Sequence, residues 1–415
     1  MSKTLKFPSG FLWGVSTSAY QVEGGILNDW SRWEKKKLEF RSKKLEGAKP
    51  TNPPFTRGAE DFVCGQACDS YNRYEEDLAL VKDLHCGAYR MGLEWARLEP
   101  EEGKYDFDSV LYYRQVLKAA KAKNLKVVLT LWHFTNPVWF ADRGGWENKK
   151  AVEYFARYVK LVTRELGDYV DYWVTINEPL VAISNGYLTG KFPPNRKNIL
   201  AARRVYNNLV RAHQTAYEII HKKFPEAQVG LTMLTNFFEP AHSWNLVENI
   251  FAKLAGYCWN DRFVRKLNDN YDFLGLDYYF HDRIVWRPPF KKNLNKKTTD
   301  LGWEIYPAGI LEVLKDYAKF KKPLFIMENG LADASDKKRA EFITEHLKYV
   351  HQALGEGVDV RGYFHWSLID NFEWAEGFRG KFGLYSVNRK TFARVARPSA
   401  KIYSEICKNN EIKVD

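Results

Sequence analysis

Short, almost wholly apolar runs alternate with amphipathic stretches along the chain. Eight runs stand out: "FLWGVST" from Phe11, "AYRMGLEW" from Ala88, "KVVLTLW" from Lys126, "YWVTINE" from Tyr172, "QVGLTML" from Gln228, "DFLGLDYY" from Asp272, "PLFIMEN" from Pro323 and "VRGYFHWS" from Val360. Their apolar residues are continuous instead of alternating, as in parallel strands covered on both faces. Between runs the spacing becomes helical. After Asp69, read as an N-cap, Tyr71, Tyr74, Leu78, Val81 and Leu84 recur at steps of a helical face until Gly87. Val110, Tyr113, Leu117 and Ala120 repeat this before the third run, and Val152, Phe155, Val159, Val162 and Leu166 before the fourth. A helix after each strand returns the chain for another parallel strand. Eight such alternations with no Pro- or Ser-rich linker predict an α/β chain in which residues 1–415 form a single (β/α)8 TIM barrel, one catalytic domain. An open doubly wound sheet is disfavoured, because "GVSTSAYQVEGG" lacks the glycine spacing of a dinucleotide loop.

A barrel of this kind carries its chemistry where the strands end. Two runs end on a glutamate: "WVTINEP" on Glu178, just before Pro179, and "PLFIMENG" on Glu328, just before an Asn-Gly turn. Strands four and seven face one another across the mouth, so a sugar-sized ligand fits between the two carboxylates. The chemistry that needs such a pair is glycosidic bond cleavage, in which one carboxylate attacks the anomeric carbon and the other protonates the leaving oxygen. Arg90, in the second run, is the supporting cation that keeps one of them ionised. The residues by themselves leave open which glutamate takes which role.

Four motifs then carry a resemblance that covers nearly the whole chain. "FPSGFLWGVSTSAYQVEGG", "TINEP", "IMENG" and "WSLIDNFEWAEGFRGKFGL" together resemble the signatures of glycoside hydrolase family 1, the β-glucosidase and β-glycosidase group. The resemblance implies a retaining, two-step mechanism with Glu328 as nucleophile and Glu178 as acid, then base, their carboxyls about 5 to 5.5 Å apart. It also implies sugar contacts from Gln21, His133, Asn177, Glu373 and Trp374, a Trp366 platform whose peptide bond to Ser367 is cis, a hydrogen bond from Tyr279 to Glu328, and Phe382 at the periphery. The expected substrate is a β-glycoside or oligosaccharide with a neutral glycone, because Glu373 stands where phospho-sugar members carry a phosphate-binding set. A 6-phospho-β-glycosidase, a transglycosylase and a non-catalytic sugar-binding barrel are the alternatives. Two departures bear on the nucleophile: Met327 stands where the family has Thr, and Asp277 where it has Asn.

Composition adds exclusions. Lys and Arg outnumber Asp and Glu by 63 to 51, a formal charge of +12, but the excess is spread, so no nucleic-acid partner is expected. The densest basic stretch, residues 283–297, is read as a solvated loop, and membrane association is not expected. No run is long enough to span a bilayer and the N-terminus has no signal-peptide core, so a cytoplasmic location is expected. Five cysteines argue against a disulfide framework. No metal and no cofactor is expected, and a homo-oligomer is compatible with the sequence.

Overall fold

The computed structural model describes residues 3–45, 60–292 and 295–414. Eight parallel strands close into a barrel in chain order: β1 (Leu12–Ser16), β2 (Ala88–Gly92), β3 (Lys126–Thr130), β4 (Tyr172–Asn177), β5 (Gln228–Pro240), β6 (Phe273–Ile284), β7 (Leu324–Asn329) and β8 (Val360–Trp366), with β8 pairing back onto β1. All eight apolar runs are strands. Each is followed by a helix: α1 (Ser70–Asp83), α2 (Phe107–Ala122), α3 (Ala151–Leu166), α4 (Ile199–Lys223), α5 (Leu246–Gly256), α6 (Ala308–Tyr317), α7 (Arg339–Gly355) and α8 (Pro398–Asn409).

The runs read as continuously apolar because both faces are buried, against different things. Ala88, Val128, Val174, Phe273, Phe325, Met327 and Phe364 pack together as the barrel's inner plug. Their neighbours Tyr89, Val127, Trp173, Leu274, Ile326 and Tyr363 join the layer under the helices. A buried side chain of this size contributes about 1.5–3 kcal/mol of apolar burial, so neither layer tolerates a polar substitution without a partner. Met327 belongs to this plug, which answers one departure: its side chain fills apolar space and no hydroxyl is called for there.

One cap differs from expectation. Asp69 does stand at the N-cap of α1, but in a left-handed conformation (φ 56°) and without capping a backbone N–H. Its carboxylate instead accepts from the Asn72 amide at 2.7 Å and the Arg73 guanidinium at 3.1 Å. At the bottom of the barrel Lys3–Lys6 pairs antiparallel with Glu411–Val414. With the plug below and the termini zipped beneath it, the accessible end is the one at which the strands finish.

Candidate active site

The two glutamates reach the mouth because the strands beneath them break step. A strict two-residue alternation that sends Phe325 and Met327 inward would send residue 328 outward. The β7–β8 register shifts between Ile326 and Asn329, and the β4–β5 register shifts between Val174 and Asn177. An extra residue in a strand re-aims the side chain that follows it. Glu178 then leaves β4 with φ 41°, a left-handed turn that starts the next helix at Pro179.

Arg90 ties the floor together. It is fully buried on β2, and its guanidinium donates to Glu328 Oε1 at 2.5 Å, to Asn177 Oδ1 and to the Thr130 hydroxyl at 3.3 Å. Glu328 Oε2 accepts from the Tyr279 hydroxyl at 3.0 Å. Among the described residues Glu178 has no such cation in contact. Burial, then Asp277, then Glu328 push its carboxyl well above the usual range. Burial also raises Glu328, but Arg90 and the Tyr279 hydrogen bond oppose it. The pair is thereby split: one carboxyl held against a guanidinium, the other left to keep its proton.

The same arginine sets a tautomer two residues away. A guanidinium only donates, so Asn177 must present its oxygen to Arg90, where the Thr232 hydroxyl also donates at 2.7 Å. The Asn177 amide nitrogen therefore faces His133 Nε2 at 3.1 Å. Nε2 accepts, and the proton sits on Nδ1, which has no partner among the described residues. Burial and the Arg90 charge hold the imidazole neutral. His133 thus offers one N–H donor from a ring that lines the cavity.

That cavity has a volume of about 500 Å³, within the range of small-molecule sites. Gln21, His133, Glu178, Tyr279, Glu328, Trp366, Glu373 and Trp374 all line it. The Trp366–Ser367 peptide is cis, as expected. Two expected contacts are not in the lining. Asn177 is fully buried, with its oxygen accepting from Arg90 and Thr232 and its amide nitrogen facing His133. Phe382 packs behind Trp366 with Ala332. Glu373 is half-buried, its Oε2 is shielded with no hydrogen-bond partner among the described residues, and desolvation, then Glu328, push its carboxyl up to about 8.

Sequence reading missed Trp259, Trp303 and Asn236, which also line the cavity. Asn236 lies within β5, and Trp259 and Trp303 lie on the segments after β5 and β6, none of which carries a motif. Asp277 stands out in the sequence as a departure, but its consequence does not. It sits in register with Glu328 on the adjacent strand, fully buried, and neither of its oxygens has a hydrogen-bond partner among the described residues. One oxygen each from Glu178, Asp277 and Glu328 lie within 4.8 Å of one another, a spacing that suits a cation as well as a shared proton. Both Glu328 oxygens are already engaged, by Arg90 and by Tyr279. The fixed positive charge at this cluster is thus a guanidinium.

Two glutamates that bring one oxygen each within 4.8 Å at the open end of a parallel eight-stranded barrel, one ion-paired and one not, suit the acid and nucleophile of a glycoside hydrolase. Comparison with known proteins agrees. The chain belongs to glycosyl hydrolase family 1, whose model matches residues 3–255 and 257–412. It is 32% identical to a 1,4-beta-D-glucan glucohydrolase of Thermotoga neapolitana over 98% of this chain and 99% of the relative. Among solved structures it resembles a beta-glycosidase from Pyrococcus horikoshii, with TM-score 0.87 and 34% identity over 99% of this chain and 96% of the other. It also resembles a family 1 β-glucosidase from Thermotoga maritima in complex with isofagomine lactam, with TM-score 0.87 and 28% identity over 99% and 100% of the two chains. The protein is a retaining β-glycosidase.

Proposed function

We propose that Glu328 is the nucleophile and Glu178 the acid/base of this enzyme, acting on β-glycosides with a neutral glycone. The observation that carries the assignment is the split environment of two carboxyls within 4.8 Å: Arg90 pairs with Glu328, and no described cation pairs with Glu178. In the first step a Glu328 oxygen bonds to the anomeric carbon, the glycosidic bond breaks, and the Glu178 proton goes to the departing oxygen. The Glu328 ester is neutral, so the repulsion it exerted on Glu178 disappears and Glu178 settles as a carboxylate. It can then take a proton from the incoming water, whose oxygen bonds to the anomeric carbon as the ester bond breaks. The free sugar leaves, and both glutamates return to their starting state. Incubation with a 2-fluoro β-glucoside, which forms the glycosyl-enzyme but releases it slowly, followed by peptide mass spectrometry, should locate the sugar on Glu328. A label on Glu178 or Asp277 would reverse the assignment.

Around the glycone, His133, Glu373 and Trp374 offer polar atoms to the hydroxyls and Trp366 its indole face, while Gln21, whose amide N–H groups already donate to Asn371 and Phe372, has only its oxygen to offer. Tyr279 holds Glu328 as a carboxylate through a hydrogen bond to a charged acceptor, worth about 1.5–3 kcal/mol. Tyr279→Phe is expected to lower kcat/KM by about 10- to 100-fold. A kcat/KM equal to that of the parent enzyme would remove Tyr279 from the mechanism.

Asp277 tunes the acid. After burial it is the foremost group raising Glu178; burial and then Glu328 raise Asp277's own carboxyl well above the usual range, so its charge acts at the alkaline end, where it makes the last proton of the cluster harder to remove. Asp277→Asn keeps the shape and deletes that charge. Glu178 then loses its proton at lower pH, so the alkaline limb of the kcat/KM profile should move toward acid. The profile of the variant measured against the parent settles this, and superimposable alkaline limbs would show that Asp277 stays neutral throughout.

A further inference from the structure

Helix α5 is built inside out. Its one acidic residue, Glu248, is buried with Ala252 on the inner face and accepts from His242, whereas its large apolar residues face solvent. Leu246, Val247, Ile250, Phe251 and Leu254 follow a helical stripe, and Trp244 precedes it. Trp244 is 81% exposed, Leu246 75%, Ile250 56% and Leu254 55%. Singly exposed apolar side chains are ordinary, but a continuous stripe on one helix marks a contact surface. Strands β5 and β6 run on together past the barrel rim to Pro240 and Ile284 and carry the segment that follows, where Trp286 and Phe290 are also exposed.

The segments around this stripe carry more cations than they pair: Arg283 meets Glu239 and Glu304, Lys291 meets Asp282 and Lys297 meets Glu341, which leaves Arg287, Lys292 and Lys253 without an ion pair among the described residues. Residues 283–297 contain Arg283, Arg287, Lys291, Lys292, Lys296 and Lys297 and no acidic residue. From Trp244 to Tyr257 the charged residues are the buried Glu248 and the exposed Lys253. An apolar stripe bordered by lysine and arginine, with no exposed carboxylate among these segments, complements an anionic, apolar-cored surface. Crossing a bilayer is a separate matter: among the described residues no helix is long and apolar enough to do so, and a helix lying in the interface needs no span.

The stripe also borders the catalytic cavity. Two residues beyond Tyr257, Trp259 lines the cavity, and Lys291, next to the exposed Phe290, lines it from the other segment. We propose that α5 and the segment after β6 dock this enzyme on an anionic lipid bilayer, with the cavity mouth at the membrane surface. Resting on the glycosidase reading, the substrate class that this surface presents is a β-glycoside whose apolar aglycone is held in the bilayer.

Vesicle flotation of the full-length protein tests the docking without calling on catalysis. With vesicles of mixed phosphatidylcholine and phosphatidylglycerol at low salt the protein is expected to float, and with phosphatidylcholine alone or at high salt to stay largely behind. The triple variant Leu246→Gln, Ile250→Gln, Leu254→Gln should lose about tenfold or more of its partitioning. Arg287→Gln with Lys292→Gln should weaken binding to anionic vesicles alone, an independent arm that leaves the stripe intact. All variants should hydrolyse a soluble aryl β-glucoside at the parent rate, whereas hydrolysis of a β-glucosyl diacylglycerol in anionic vesicles should fall with the binding. Failure of the parent protein to float with anionic vesicles overturns the proposal. Sedimentation that shows the triple variant converting an oligomer to monomer, without vesicle binding by the parent, assigns the face to a second copy of the chain instead. If the parent floats but neither glucoside is hydrolysed, the docking stands and the glycosidase reading fails.

Discussion

Glu328→Gln is expected to lower kcat by about 10⁴- to 10⁶-fold, the scale on which removal of a covalent nucleophile acts in other hydrolases, and to leave no adduct with a 2-fluoro β-glucoside. The side chain keeps its shape, and its amide oxygen can still accept from Arg90. What is lost is the lone-pair charge that forms the bond to the anomeric carbon. A second consequence follows from burial. Arg90 has no exposed surface, and removing the partner of a buried ion costs about 3–5 kcal/mol when nothing replaces it. Here something can. Asp277 lies in the same cluster, is opposite Glu328 in register, and has no hydrogen bond from its carboxyl oxygens among the described residues. Burial, then Glu328, raise the Asp277 carboxyl, so neutralising Glu328 removes the second cause and leaves the Arg90 charge to draw it down. The variant should therefore unfold at a temperature close to that of the parent, while Glu328→Gln combined with Asp277→Asn should lose most of the roughly 3–5 kcal/mol by this same reasoning. Steady-state kinetics, adduct mapping and thermal melts check all three statements, and an E328Q enzyme within about tenfold of the parent kcat would end the nucleophile assignment.

How much of this is legible in the chain depends on how local each signal is. The strands are readable because burial on both faces removes polar residues from a whole run, and Phe325, Ile326 and Met327 declare it without reference to anything distant. Glu178 and Glu328 are readable because a carboxylate ending such a run contradicts its surroundings. Arg90 is readable for the same reason, a cation in an apolar strand. Asn177 is visible too, but its partners are not, because the donor to its oxygen comes from β2 and the ring its amide nitrogen faces comes from the segment after β3. The unpartnered state of Asp277 depends on the Thr232 hydroxyl being committed to Asn177, a choice made by three strands together. Trp259 and Trp303 come from segments whose direction no simple period fixes. Helix α5 shows the limit most plainly: "LVENIFAKLAG" has an ordinary amphipathic pattern, and sequence cannot tell that the acidic side faces in.

Glu178→Gln is expected to act differently on different substrates, and that difference separates an acid/base from a nucleophile. For an alkyl β-glucoside, whose leaving oxygen needs a proton, removing the general acid should cost about 10²- to 10⁴-fold in kcat/KM. For an activated aryl glucoside with an acidic leaving phenol, the first step needs no proton and kcat/KM should change little. The second step lacks its base, so the glycosyl-enzyme accumulates, kcat and KM fall together, and a burst of phenol precedes the slow steady state. Added azide, a nucleophile that needs no base, should restore turnover of the aryl substrate and give the β-glycosyl azide, because attack opposite the Glu328 ester preserves the starting configuration. The pH profile should change with it. In the parent enzyme the alkaline limb of kcat/KM reports the loss of the Glu178 proton, which burial, Asp277 and Glu328 hold on to above the usual carboxyl range. A glutamine has no such proton, so for the aryl substrate the alkaline limb should vanish while the acid limb, set by Glu328, stays. Equal losses on both substrates, with no response to azide, would place Glu178 outside the proton transfer and leave the distance across the mouth without a chemical meaning.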